Sequence, residues 1–125
     1  MKEHLPVRVG TRKSKLARWQ ADQVVDLLRK VHPGIVCKVK TLGTEGDRRP
    51  DVPLREMAGR GVFTGQLEEA LKAVEIDIAV HSLKDLPTEQ DPALCLAAVP
   101  NRGDPRECLI SRSGAGLSSL PPGAV

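Results

Sequence analysis

Val7-Arg8-Val9-Gly10-Thr11 alternates apolar and polar positions and reads as a short strand. Ser14 is placed as a helix N-cap, and a long run with a period of 3.6 follows it. Leu16, Ala17, Gln20, Ala21, Val24, Leu27, Leu28 and Val31 share one face of that run, which His32-Pro33-Gly34 brings to an end. From Ile35 to Leu42 the chain is rich in β-branched residues and alternates toward its end, so a second strand is predicted there. Strand, helix and strand in this order make a crossover unit, which implies parallel pairing.

Gly43 to Gly61 is polar, contains Gly and Pro, and is too long for an ordinary connection, which marks it as functional or mobile. Thr64 is placed to cap a second helix with Glu68 and Glu69 early and Lys72 late, each charge matching the helix dipole. Its buried stripe is expected to be Leu67, Ala70, Leu71 and Val74. A third strand is predicted at Asp77-Ile78-Ala79-Val80-His81, apolar enough to be central in a covered sheet. Leu94 to Val99 and Glu107 to Ser111 read as a fourth and a fifth. The expected class is α/β, a mainly parallel sheet flanked by helices, with no internal repeat.

Composition narrows what such a fold does. The chain has 125 residues, enough for one domain, and 2% aromatic content, so its core must be aliphatic. One Trp, one Phe and no Tyr provide no platform for stacked bases, which speaks against nucleic acid as a partner. No apolar run approaches the roughly 18 residues of a membrane span, and Met1-Lys2-Glu3-His4 opens no secretory signal. A cytoplasmic location without a membrane partner is therefore expected. The Gly/Ser/Pro-rich stretch from Ser113 to Val125 finishes no element, and the chain is read as part of something longer.

The net charge of +3 is unevenly placed, with 14 Lys/Arg against 7 Asp/Glu in residues 1–60 and 5 against 9 in the remainder. An anion belongs with the first half. Cys37, Cys95 and Cys108 are far apart, with no paired spacing and no His at ligand distance, so neither a disulfide framework nor a metal site is indicated. All three are read as structural, in the manner of small buried hydrophobes.

Ligands of an open parallel sheet bind at the carboxyl ends of its strands. The first strand runs into Thr11-Arg12-Lys13-Ser14, where a guanidinium, hydroxyls and the free N–H groups of a helix start converge on a carboxylate or phosphate. The third runs into Ser82-Leu83-Lys84-Asp85 at the same edge. Arg12 opposes the helix dipole, so its position asks for a functional reason. Asp85 is either a capping residue paired with Lys84 or a partner for a cationic or N–H-bearing part of the ligand. Gln20, polar on an apolar face, is either satisfied by backbone or turned to a ligand. Neither glycine-rich nucleotide-binding pattern occurs.

Three blocks are more specific. Arg8 to Ala17 with Trp19-Gln20-Ala21, Gly61-Val62-Phe63-Thr64 leading into Leu67-Glu68, and Asp77-Ile78-Ala79-Val80-His81-Ser82-Leu83-Lys84-Asp85-Leu86-Pro87 closely resemble the porphobilinogen deaminase family, and Arg102 to Arg106 extends the likeness. The resemblance implies a transferase of tetrapyrrole biosynthesis that joins four porphobilinogens head to tail into hydroxymethylbilane and releases ammonia. It implies a dipyrromethane cofactor held by a thioether to a Cys that none of Cys37, Cys95 or Cys108 matches. It carries a catalytic role to Asp85, carboxylate binding to Arg12, Ser14, Ser82 and Lys84, a place beside the substrate to Gln20, and an apolar wall to Phe63. It further implies a lobe like those of type II periplasmic binding proteins, incomplete relative to a three-domain, monomeric enzyme. Residues 1–100 would form the first domain and 101–125 a crossover toward an absent second one, leaving this piece inactive alone. The rival reading is a stand-alone carboxylate-binding module without catalysis.

Overall fold

A computed structural model describes residues 5–43 and 64–123. Its elements are β1 (Val7–Arg12), α1 (Lys15–Val31), β2 (Cys37–Leu42), α2 (Gly65–Lys72) and β3 (Ile78–Ala79), with single 3-10 turns at Leu83–Asp85 and Leu117–Ser119. The sheet runs β2-β1-β3, and both pairings are parallel. Val7 lies opposite Cys37, Arg12 opposite Leu42, and Val9 opposite Ile78. The expected crossover unit is present, and β1 is its central strand.

Local chemistry explains where α1 begins and ends. The Ser14 hydroxyl accepts from the Ala17 N–H at 3.2 Å, satisfying one of the donors left open at a helix start. Arg29 and Lys30 lie in the last turn, and Gly34 takes φ +94° just beyond it, a backbone shape that suits glycine. The helix packs on one face of the sheet through Val9, Ala21, Val25 and Val80, with Val7, Val24, Cys37 and Ile78 around them. A second cluster joins Leu67 and Ala70 of α2 to Ile76, with Leu42, Leu71 and Ala79 packed against it.

Several expectations need correction. The buried line of α1 is Ala17, Ala21 and Val25, four residues apart, while Leu16, Leu27 and Val31 are exposed. Those three lie to one side of the line that faces the sheet, which is three strands wide among the described residues. Val74 is also exposed, and it takes φ 55°, an uncommon shape for a β-branched residue. Thr64 occupies the N-cap position of α2 without capping it, and its buried hydroxyl has no partner among the described residues. Leu94 to Val99 and Glu107 to Ser111 form no strands. Strand propensity becomes a strand only where a ladder partner exists, and none of the described residues offers those segments one. Cys95 and Cys108 are accordingly exposed and Cys37 is half-buried, so the buried structural reading fails for the first two. The long loop lies outside the described residues from position 44 onward, as does Phe63.

Two contacts hold β1 in place. Arg8 grips the entry to β3: its Nε and Nη2 donate to the Asp77 carboxylate at 3.0 and 2.7 Å, and Nη1 donates to the Val74 carbonyl at 2.6 Å. The Arg8 backbone N–H also donates to Asp77 at 2.7 Å, and the Asp77 N–H returns a bond to the Arg8 carbonyl at 2.8 Å. These bonds hold the Asp77 carboxyl at a pKa of about 2, the Arg8 side-chain bonds being the largest cause. The other contact is close packing at Gly10, where an added Cβ would fall on Ile76 Cδ1 and within 2.9 Å of Leu67 Cδ2.

Since Asp77 is depressed in the folded state, its contribution to stability is complete above the ordinary carboxyl value of 3.8 and is lost as pH falls through about 2. Denaturant unfolding between pH 5 and pH 2 should therefore show a decline that Asp77→Asn flattens; equal slopes in both proteins would remove the clamp from the acid response. At Gly10, alanine should destabilise by about 1–3 kcal/mol through overpacking. Adding Ile76→Val, which deletes the obstructing Cδ1, should return part of that loss in the same unfolding measurement.

Candidate functional site

The parallel pairing places the ends of β1 and β3 at one edge of the sheet, and the side chains that follow them meet there. Val80 donates its N–H to the Gly10 carbonyl at 2.9 Å, extending the β1–β3 contact to the last residues before the site. The Thr11 hydroxyl is buried and donates to the Ala17 carbonyl at 2.9 Å, which ties the end of β1 to the first turn of α1. Arg12 follows directly. On the other side, the Asp85 N–H donates to the Ser82 carbonyl at 2.9 Å and closes the 3-10 turn that carries Lys84 and Asp85.

Two side-chain pairs bridge the strand ends. Arg12 Nη1 lies 3.5 Å from Asp85 Oδ2, with the two side chains only 18% and 21% exposed. Such a pair interacts more strongly than it would in open water. Ser82 Oγ lies 3.0 Å from Gln20 Nε2 and 3.1 Å from Gln20 Oε1, joining the start of the turn after β3 to α1. Asp85 therefore has Arg12 as its partner and does not cap a helix. Gln20 is satisfied by a side chain, where the sequence offered backbone or ligand. Ser14 belongs to the same edge, with its hydroxyl oxygen engaged at the helix start and its proton still able to donate. Lys84 is exposed on the turn.

Arg12, Ser14, Gln20, Ser82, Lys84 and Asp85 are thus drawn from β1, α1 and the turn after β3 to one edge. Sequence reasoning overlooked His81. Burial holds its imidazole below the ordinary histidine pKa, Asp85 and Glu68 pull it upward by charge, and Arg12 pushes it down. A titratable residue directly between β3 and a suspected binding turn was the available signal. Among the described residues no group of three or more His, Cys, Asp or Glu is placed to hold a metal ion, and no helix is long and apolar enough to cross a membrane. A cavity of about 380 Å³ between Leu42 and α2, lined by Gly65, Glu69, Ala73 and Glu75, includes none of the six residues.

An edge with a guanidinium, an ammonium, hydroxyls and one carboxylate can bind a carboxylated ligand that also presents an N–H. Residues 7–125 match the family model described as porphobilinogen deaminase, dipyromethane cofactor binding domain. The chain is 46% identical over 121 residues to a porphobilinogen deaminase of Acidothermus cellulolyticus, covering 95% of this chain and 35% of that protein. For the Syntrophomonas wolfei and Thiobacillus denitrificans proteins of the same name, identity is 47% and 48% over 119 residues, covering 95% and 94% of this chain and 39% and 38% of theirs. The chain thus spans somewhat more than a third of the length of these relatives.

The capping role of Ser14 can be tested by substitution. Ser14→Ala should lower stability by about 1 kcal/mol through loss of the cap, and Ser14→Asp should retain it. Thermal unfolding of the two variants checks this, and equal stability in the alanine variant would show that the cap contributes nothing.

Proposed function

Because this chain belongs to the porphobilinogen deaminase family, we propose that its sheet edge is one wall of the site at which porphobilinogen units are joined. The observation that carries this reading is the Arg12–Asp85 pair, opposite charges from two strand ends held 3.5 Å apart and largely out of water. A simple anion site has no use for Asp85. A pyrrole carrying acetate and propionate groups has use for both, offering carboxylates to Arg12, Lys84 and the Ser14 and Ser82 hydroxyls and its N–H to Asp85.

In this reading the whole protein condenses four porphobilinogens into hydroxymethylbilane with release of ammonia. Loss of ammonia from the aminomethyl group leaves an electron-poor, azafulvenium-like pyrrole. Asp85, fixed by its turn, stabilises that developing positive charge and is placed to exchange protons with the ring nitrogen. Arg12 keeps the carboxylate arms in register, and Gln20 holds Ser82 toward the ligand. The same donor set fits a dipyrromethane, whose acetate and propionate arms Arg12, Ser82 and Lys84 would hold with Asp85 at its pyrrole N–H groups. When bound, that cofactor supplies the anchored end to which units are added. Phe63 is assigned the apolar wall of the site from the family likeness alone.

The parallel sheet with helices on both faces supports a lobe of the type II periplasmic binding protein kind, with residues 1–100 as the domain and 101–125 as the crossover. The rest of the enzyme would supply the opposite wall and the cofactor-bearing Cys. A monomer in the cytoplasm acting on a small molecule is the setting this chemistry suits.

Porphobilinogen titrated into the isotopically labelled chain should shift amides at Gly10 to Ser14, Gln20 and Ser82 to Asp85. Arg12→Ala should weaken binding at least tenfold, about 1.4 kcal/mol, as expected for a lost charge-assisted contact. Asp85→Asn should bind within a few-fold and, in a full-length relative, lose most turnover. If succinate bound as tightly as porphobilinogen and Asp85→Asn changed neither affinity nor turnover, the site would be a plain carboxylate binder.

A further inference from the structure

Ser82 opens the turn after β3 in the place where a serine hydroxyl ordinarily accepts from the backbone, yet it makes no such bond. Ser14, the serine at the start of α1, does accept one. The Ser82 hydroxyl is turned across to α1, where Gln20 is its partner among the described residues, with Oγ 3.0 Å from Nε2 and 3.1 Å from Oε1. Both side chains are half-buried. Near-equal distances to the two ends of the amide matter because the hydroxyl carries a single proton. The two amide atoms sit side by side on one carbon, so from Oγ they lie closer in direction than the proton and a lone pair of a hydroxyl do. One bond at a time is therefore well aimed: either Ser82 donates to Oε1, or it accepts from Nε2 and keeps its proton for something else.

We propose that Gln20 is a positioning residue that acts through Ser82 by serving both states of its hydroxyl. Without ligand, Ser82 donates to Gln20 Oε1; when a carboxylate arrives, the hydroxyl rotates, donates to the carboxylate and accepts from Gln20 Nε2. No heavy atom of the pair has to move, and the hydroxyl oxygen keeps a partner throughout. The edge therefore gains a donor without stranding a half-buried polar group. The amide explains the choice of residue. A glutamate at this position, when ionised, could only accept and would hold the serine proton permanently, and an alkyl chain could do neither. Among side chains of this length the amide offers both a donor and an acceptor. That accounts for a polar residue on the apolar face of α1, directly before the buried Ala21.

The identity of the ligand rests on the porphobilinogen reading, whereas the rotation requires only a carboxylate, and two probes separate them. Porphobilinogen and succinate are each titrated into the isotopically labelled chain, and the Gln20 side-chain amide is followed by nuclear magnetic resonance. One Nε2 proton should move downfield as either probe saturates, and that movement should disappear in Ser82→Ala. Gln20→Met should weaken porphobilinogen binding about fivefold with Ser82 present and less than twofold in the Ser82→Ala background, a non-additivity that lost packing alone would not produce. Gln20→Glu, of the same shape, should weaken it at least tenfold at neutral pH, because its charge holds the serine proton and repels the anion. Gly10 and Val80 amide shifts report an intact β1–β3 contact in each variant, and Gln20→Leu serves if methionine disturbs it. A probe that shifts the Arg12 and Ser14 amides but leaves the Gln20 side chain unmoved overturns the proposal. Equal losses for Gln20→Met in both backgrounds, or no shift at Ser82 with either probe, overturn it as well. If succinate moves the Gln20 amide and porphobilinogen does not bind, the substrate reading falls and the rotation stands.

Discussion

The grip of Arg8 on Asp77 sets the register on which the site depends. Parallel strands meet with no hairpin to align them, so something must fix how far β3 slides along β1. Here β3 is only Ile78–Ala79, too short to define register by its own ladder. The guanidinium fork and the paired backbone bonds between Arg8 and Asp77 lock the strands one residue before that ladder begins. Four residues on from Arg8 comes Arg12, and eight on from Asp77 comes Asp85. A slip at the clamp would separate them. Val74 lies in the left-handed region as the residue that closes the C-terminal end of α2, its N–H donating to the Leu71 carbonyl at 3.0 Å and the Glu75 N–H to the Ala70 carbonyl at 2.8 Å, and the third bond of the Arg8 fork fastens on its carbonyl.

Close packing sets the other limit. Gly10 lies in the middle of β1 with Ile76 and Leu67 against the place where a side chain would stand. Its lack of a Cβ lets α2 and the segment before β3 approach the sheet, and Ile76 precedes Asp77 directly. Glycine in a strand interior usually weakens it through entropy and absent packing. That cost is offset here because the neighbours fill the space themselves, both being almost fully buried.

Much of this was legible in the sequence. The crossover unit followed from the alternation at Val7 to Thr11 and the helical period after Ser14, and the chemistry at the strand ends followed from where Arg12, Ser82 and Asp85 fall after those strands. What sequence could not show was pairing. Asp77 read as the first residue of a strand, because nothing local marks a carboxylate as the partner of an arginine 69 positions away. Asp85 was weighed against its neighbour Lys84, yet its partner came from another strand. The width of the buried stripe on α1 was overestimated for a related reason: periodicity shows which residues share a face, and only the sheet beneath decides how much of that face it covers. Leu94 to Val99 had the composition of a strand without an edge to join among the described residues.

The same pairings bear on selectivity. Arg12 faces Asp85, Gln20 holds Ser82, and Ser14 caps α1, so several groups of this edge are engaged with one another. Any ligand must replace contacts that already exist, and its net gain is a difference. A plain carboxylate that takes Arg12 leaves Asp85 partly buried without its counter-charge, a loss that offsets much of the new contact. A plain cation at Asp85 strands Arg12 in the same way. Only a molecule that offers a carboxylate and an N–H at once exchanges the internal pair for two external ones with nothing left over. The pair thus makes this edge poor at holding ordinary anions, and any selectivity it has arises from what a wrong ligand would leave unpaired.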